Sequence, residues 1–410
     1  MPGGPLRRAA RRSYPVPVSR TFVAVACLLL VASGIAGVLV LGTGDEREPP
    51  AGVRPVDVQG CDGLDDDARR ACLAERFSAL VEGRDDPRPA VERIAATAWS
   101  EGGFLLGNCH VVMHTVGRTY ARDAGVTVAS LMDYLPQDND PGCSAGFAHG
   151  LVTGVAPDID PSAPREAAAA CADAGTRYQR YSCVHGFGHA FMRLYDDQLE
   201  PALELCTALG PDTAPDCAQG AYHDYWFAVI GADDARLARG GEKDPWRLCA
   251  SQPEEYVRPC WYRAFLENRP EGFTVETAAD VEGLCDGLEG LQREGCITAA
   301  SVIGPPDPAE QLRLCATLAD PADAASCVRG TKAQNLLDAP AAEHVRLIDG
   351  CERFGPRARA ACYRWLGKIL AVLTDGRFLR AGCPEVAAPE GRRHCEEGAR
   401  TMEDALVTFS

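Results

Sequence analysis

Six of the eight histidines in this 410-residue chain fall between residues 110 and 223, in a register set by nearby cysteines. They occur in four strings: CHVVMH, CSAGFAH, CVHGFGH and CAQGAYH. The six are His110, His114, His149, His185, His189 and His223. Neutral imidazole binds copper, zinc and iron, so this pattern predicts a histidine site for one or two metal ions.

The spacing of these histidines indicates that their side chains converge. His149, His189 and His223 each stand six positions after a cysteine, so they occupy equivalent places in successive segments. His110 and His114 are four positions apart, which puts both on one face of a helix, and the pair in CVHGFGH has the same spacing. On packed helices, equivalent positions lie about 8–10 Å apart. We also expect the histidines within two turns of helix N-termini, where the helix dipole favours neutral imidazole.

Other residues near the histidines extend this prediction or offer alternatives. Asp123, Asp224 and Tyr222 can add oxygen ligands. Met113 and Met192 lie beside the set and slightly favour copper. The histidines can instead serve acid–base chemistry without a metal, or only pack between helices. No serine or cysteine nucleophile accompanies them, and no Walker, Rossmann, HExxH or CxxCH motif occurs, so catalytic residues are unassigned and an enzymatic role stays open.

The elements that position the histidines are marked by cysteines. Eight cysteine pairs, each 11 or 12 positions apart, run along the chain. They are Cys61/Cys72, Cys171/Cys183, Cys206/Cys217, Cys249/Cys260, Cys285/Cys296, Cys315/Cys327, Cys351/Cys362 and Cys383/Cys395. Zinc sites usually pair cysteines two to four positions apart, so the wider spacing favours structural disulfides. Cys109 and Cys143 lack such partners; we expect a bridge between them, the alternative being two free thiolates.

The second cysteines recur about every 36 residues, which is typical of repeats of two helices. In each repeat a first amphipathic helix ends near the first cysteine. A second helix begins near the second, with Asn108, Ser182, Asp216 and Ser326 as predicted N-cap residues. Glycines three positions after the cysteine, such as Gly146, indicate close helix–helix contact. The predicted fold is all-α: about ten disulfide-linked helical hairpins in a solenoid. It resembles tetratricopeptide repeats in repeat length and in its two-helix hairpins but lacks their Trp/Leu/Gly/Tyr signature.

The N-terminal segment predicts where these repeats are located. No residue from Thr21 to Gly44 is charged, five arginines precede this stretch, and three acidic residues follow it closely. An uncleaved signal anchor with a cytoplasmic N-terminus is the favoured interpretation, and a cleaved signal peptide is the alternative. Either one exports the chain to an oxidising compartment, where disulfides persist. We therefore predict a single-pass protein of the cell membrane, extracytoplasmic for most of its length.

The predicted organisation has five parts. They are a basic cytoplasmic tail (1–20), the transmembrane anchor (21–44), an extended stalk (45–60), N-terminal repeats with the histidines (61–230) and C-terminal repeats (231–410). The net charge of −17 disfavours nucleic acid as a partner. The alternative to a metal-binding protein is an interaction scaffold for another cell-envelope protein, in which the histidines are purely structural.

Overall fold

The computed structural model describes residues 55–137, 140, 142–175, 177–211, 213–230, 245–267, 274–305, 307–331, 343–373 and 383–400. These ranges are helical and contain no β-strand. The predicted tail, anchor and most of the stalk lie outside the described residues, as does the connection at 231–244. Within the described ranges, no helix has the length and apolar character needed to cross a bilayer.

The α-helices follow one another in short hairpins. In chain order they are α1 Asp66–Val81, α2 Arg88–Glu101, α3 Gly103–Asp123, α4 Cys143–Gly154, α5 Pro164–Ala169, α6 Arg177–Leu194, α7 Leu199–Ala208, α8 Ala214–Ile230, α9 Pro245–Ala250, α10 Glu254–Glu267, α11 Ala278–Leu284, α12 Gly290–Ile303, α13 Pro308–Cys315, α14 Pro321–Arg329, α15 Glu343–Glu352, α16 Pro356–Leu373 and α17 Pro389–Arg400. Short 3₁₀ helices cover Gln59–Cys61, Val128–Asp133, Ala156–Asp158 and Ala170–Asp173.

The helices that carry the second cysteine of each pair pack against one another in chain order. The contacts run from α1 to α3, α4, α6, α8, α10, α12, α14, α16 and α17. In addition, α16 contacts α6, so the C-terminal helices return to the N-terminal ones. Tyr178 and Tyr181 of α6 accordingly belong to the same buried apolar cluster as Leu366 and Ile369 of α16. Helix α6, which carries His185 and His189, therefore packs against a helix from the C-terminal half of the chain.

All eight predicted cysteine pairs are disulfides, and the bridge between Cys109 and Cys143 is also present. The short-range bridges join the end of one hairpin helix to the following helix. The Cys109–Cys143 bridge instead joins α3 to α4, with Cα atoms 4.9 Å apart. The bridge prediction is thus confirmed, and the free-thiolate alternative is wrong because both sulfurs are used in this bond.

The N-cap prediction is wrong, because the second helices begin earlier than the cysteine pattern indicates. Asn108 is the sixth residue of α3, which starts after a break at Gly102 and Gly103, both with positive φ. In α14 the capping side chain is Asp320, which accepts from the Ala322 N–H, while the Ser326 hydroxyl donates to the Ala322 carbonyl. The polar residues before the cysteines therefore bond within helices or between them.

Glycines bring the histidine-bearing helices close together, as predicted. A Cβ added at Gly146 of α4 would lie 2.1 Å from the carbonyl oxygen of His110 on α3. Between α6 and α8 the contact is reciprocal: a Cβ at Gly188 would lie 2.0 Å from the Cys217 oxygen, and one at Gly220 would lie 2.0 Å from the His185 oxygen. These separations exclude any larger residue, so backbone contact fixes the distance between the helices.

Removing a disulfide should lower stability more when the loop that it closes is longer, although the dependence on loop length is only logarithmic. In the chain-entropy model, a loop of 11 residues contributes about 2.8 kcal/mol and one of 34 residues about 3.8 kcal/mol. We expect Cys285→Ala/Cys296→Ala to show the smaller loss and Cys109→Ala/Cys143→Ala the larger one. Urea unfolding of the oxidised proteins measures both. Equal stability of either double variant and the wild type would contradict the prediction.

Candidate metal centre

The six histidines project into one cluster from four consecutive packed helices. His110 and His114 lie on α3, His149 on α4, His185 and His189 on α6, and His223 on α8. The convergence that their shared register predicts is present, with many ring centroids about 5 Å apart. The centroid distances are 4.8 Å for His110–His114, 5.0 Å for His110–His149, 4.9 Å for His114–His189, 4.7 Å for His149–His185, 5.0 Å for His185–His189 and 5.2 Å for His189–His223.

Two groups of nitrogen atoms in the cluster have metal-binding spacing. One group consists of His149, His185 and His189 and is here called the inner triad. The other group consists of His149 together with His110 and His114, and these last two are here called the outer pair. Within each group the potential ligand atoms lie within 4.8 Å of one another. Nδ1 of His149 is 3.3 Å from Nε2 of His114. That matches the roughly 3.3–3.4 Å edge of a tetrahedron whose metal–nitrogen bonds are about 2.0–2.1 Å.

Burial keeps four of the six histidines neutral. The inner triad is at most 3 % exposed and His223 is 9 % exposed, whereas the outer pair is partly exposed. Desolvation lowers the pKa of His114, His149, His185 and His223 well below the ordinary value of 6.5, and mutual repulsion among the protonated rings lowers it further. Neutral imidazoles are the form that binds a metal ion.

The predicted helix-dipole effect is not what makes these rings neutral. Of the six histidines, only His149, the seventh residue of α4, lies within the predicted two turns of its helix N-terminus; His110 is the eighth residue of α3 and His223 the tenth of α8. The dipole falls off within the first turn, which none of them occupies. Burial is the largest cause of every lowered histidine pKa in the cluster. Arg263 adds to it: this α10 side chain is 1 % exposed, and its charge lowers the pKa of His149, His185 and His223.

Polar side chains from the surrounding helices contact the inner triad. The Tyr181 hydroxyl lies 3.2 Å from Nδ1 of His185, and the Ser182 hydroxyl lies 3.1 Å from Nε2 of His149. Oδ1 of Asp224 is 3.6 Å from Nδ1 of His189, an ion-pair rather than a hydrogen-bond distance. Burial alone would raise the pKa of Asp224, but its pairing with His189 and the charge of Arg193 outweigh that effect and lower it.

The unused nitrogens of the inner triad fit a metal ion. Among the described residues, Nε2 of His185 and Nε2 of His189 are buried and have no hydrogen-bond partner. Buried polar atoms normally have one, because leaving them unpaired costs about 1–3 kcal/mol. A metal ion would use these nitrogen lone pairs. Histidines that only join helices would be expected to bond individually to backbone carbonyls, and the contacts of His149 and His185 are instead to side chains.

The other sequence-predicted ligands lie in different settings. Asp224 adjoins the cluster through His189, whereas Asp123 is half exposed and pairs with Arg122. The Tyr222 hydroxyl donates to the side-chain oxygen of Gln252. Met113 and Met192 are both fully buried in the apolar core. Of these described side chains, Asp224 is the one that pairs with a cluster histidine, His189.

Several contacting residues escape sequence analysis. Arg263 belongs to α10, whose placement around the cluster requires the packed fold, whereas Gln219 lies on α8, four positions before His223. Tyr181 carries a local signal, because it precedes His185 by four positions and so shares its helix face. No protein-family model, curated protein or solved structure matches this chain. Its function must therefore be inferred from its own residues and geometry.

Proposed function

We propose that this protein binds copper, zinc or iron through the histidine cluster formed by α3, α4, α6 and α8. The convergence of six largely buried imidazoles carries this proposal, and histidine clusters of this geometry can hold a metal. Nitrogen ligands dominate because the cysteines of these helices are oxidised. Once bound, the ion would supply a Lewis-acid or redox centre shielded by protein, suited to storage, sensing or catalysis.

The proposed setting is the outer face of a cell membrane. In this proposal residues 21–44 are a signal anchor, the N-terminus is cytoplasmic, and the TPR-like repeats are extracytoplasmic. The disulfides among the described residues support export, because such bonds persist in oxidising compartments. A chain lacking residues 21–44 should then lose membrane association when cell fractions are separated. Unchanged association would contradict the anchor.

Metal analysis of the full-length protein in detergent tests the binding proposal. After chelator treatment, the protein is loaded separately with Cu²⁺, Zn²⁺ or Fe²⁺, desalted and analysed for metal per chain. We expect at least one ion per chain in the wild type. In the double variant His114→Ala/His189→Ala we expect less than a tenth of that amount, because both ring pairs lose a ligand.

His394→Ala is the matched control. His394 is a partly exposed histidine that contacts Glu397 and Arg364, outside the cluster. It should bind as much metal as the wild type. Circular dichroism and mapping of the disulfides establish that each variant is folded. Absence of metal from the folded wild type would overturn the proposal and favour the scaffold with structural histidines.

A further inference from the structure

Each histidine of the inner triad contacts a polar side chain that is not a histidine. For His185 and His189, that side chain determines which ring nitrogen can bind a metal. For His185 the partner is Tyr181. Its hydroxyl donates its single proton to Oε1 of Gln219 at 2.6 Å, so it accepts from Nδ1–H of His185 at 3.2 Å. With the proton on Nδ1, the lone pair of His185 is on Nε2, the buried nitrogen that lacks a hydrogen-bond partner within the described ranges.

Asp224 acts on His189 through its charge rather than through a hydrogen bond. Its Oδ1 lies 3.6 Å from Nδ1, an atom without a hydrogen-bond partner among the described residues, and the negative charge favours the proton on Nδ1, which leaves the lone pair on Nε2. Asp224 is itself held by Arg193, whose guanidinium is 3.4 Å from the same oxygen and also pairs with Asp197. A carboxylate behind a histidine fixes the ring orientation and raises its strength as a ligand.

His149 completes the triad from the opposite side. Its Nε2 is hydrogen-bonded to the Ser182 hydroxyl, so its Nδ1 faces the cluster, where it meets Nε2 of His114. The outer pair differs in exposure: His110 and His114 are partly accessible, while the triad is buried. The cluster thus contains a buried group with oriented ligand atoms and a more accessible pair on one helix.

We infer, on the basis of the proposed function, that the centre binds two ions of unequal affinity. The inner triad holds the first, resident ion through Nε2 of His185 and His189 and Nδ1 of His149. His110 and His114 hold a second ion that exchanges more readily. Tyr181 and Asp224 are positioning residues for the first ion, because they set the ligand tautomers without touching the metal.

Titration of the full-length, metal-free protein with Co²⁺ tests this inference, since Co²⁺ reports ligand geometry through its visible d–d absorption. Competition with a chelator gives the dissociation constant of each step. We expect two steps in the wild type. Tyr181→Phe and Asp224→Asn should each raise the dissociation constant of the first ion about 10- to 100-fold and leave the second within about threefold. His110→Gln should abolish the second step alone.

The chain offers a matched control for each positioning variant. Tyr222→Phe removes a buried hydroxyl that donates to Gln252. Asp323→Asn removes a carboxylate that is as buried as Asp224, 12 % exposed, and is likewise paired with an arginine, Arg293, more tightly than Asp224 is with Arg193. Both should bind Co²⁺ like the wild type. Loss in these controls equal to that in Tyr181→Phe and Asp224→Asn would show a general effect of destabilisation and overturn the inference.

The failure of this inference is distinguishable from the failure of the proposed function. A folded wild type that binds no Co²⁺, Zn²⁺, Cu²⁺ or Fe²⁺ would overturn both. Metal binding in a single step, or two steps with the first unchanged in Tyr181→Phe and Asp224→Asn, would overturn the inference alone. If Tyr181→Phe fails to fold, Gln219→Leu tests the role of Tyr181, because it removes the acceptor that directs the Tyr181 proton.

Discussion

The metal-free protein is expected to lose stability steeply as the pH falls below about 6.5. His114, His149, His185 and His223 have folded-state pKa values well below 6.5, because burial penalises the charged ring. Below pH 6.5 the unfolded chain therefore binds protons that the folded chain does not. Stability from this source is complete above pH 6.5 and declines below it by about 1.4 kcal/mol per pH unit for each such group.

Two buried carboxyls act in the opposite direction. Burial raises the pKa of Asp216 well above its ordinary value of 3.8 and also raises the pKa of Asp140, so the folded state takes up protons there before the unfolded state does. Four histidines against two carboxyls leave a difference of two protons, or about 2.7 kcal/mol per pH unit. A drop from pH 6.5 to 5 then removes about 4 kcal/mol, a large part of the roughly 5–15 kcal/mol by which domains are commonly stable.

Urea unfolding of the full-length protein with chelator present, at pH 7.5, 6.5 and 5.5, measures this dependence. His149→Gln/His185→Gln removes two of the titrating rings and should flatten the slope by about two protons. His394→Gln, outside the cluster, should keep the wild-type slope. A free energy of unfolding that is constant from pH 7.5 to 5.5 would show that the rings are not held neutral. Bound metal should raise the free energy of unfolding at each pH without flattening the slope, because the ion holds the same rings unprotonated in the folded chain.

The cysteine pattern was sufficient to predict the helical hairpins and their disulfides. A disulfide between cysteines 11 or 12 positions apart can join the end of one helix to the following helix. Because the cysteine pair recurs along the chain, the same hairpin is expected in each repeat. The histidine register then followed, because residues such as His149 and His223 hold the same place relative to their cysteines. The spacing along the chain is thus enough to predict which imidazole rings lie on the same side of the packed helices.

The remaining features depend on packing between distant segments. The charge of Arg263 acts on the cluster from α10, and α16 contacts α6, but neither α10 nor α16 carries a cluster histidine. The error over helix starts has a local cause. Ser182 is a favourable N-cap residue by type, yet α6 begins at Arg177, and the hydroxyl bonds to His149 on another helix. Serine is suited both to capping a helix and to joining two helices, so the residue type alone does not show which role Ser182 has.

Gly220→Ala is expected to damage both stability and metal binding. The new methyl would lie 2.0 Å from the carbonyl oxygen of His185, and the obstacle is backbone rather than a movable side chain. Helices α6 and α8 must then separate by more than an ångström, at a cost of about 2–3 kcal/mol. The shift also carries His185 and His189 away from His223. We expect at least tenfold weaker metal binding, measured by chelator competition together with urea unfolding.

Gly107→Ala is the informative comparison because it makes the same chemical change on a histidine-bearing helix. Gly107 is exposed on α3, and a Cβ there meets no atom within 4 Å. Alanine is the better helix former, so this variant should be about 0.5–1 kcal/mol more stable than the wild type, with unchanged metal affinity. Opposite signs for the two variants would establish that backbone contact between helices sets the distances between the imidazoles. Wild-type stability and metal affinity in Gly220→Ala would instead mean that the helices tolerate wider spacing, and that the cluster does not depend on it.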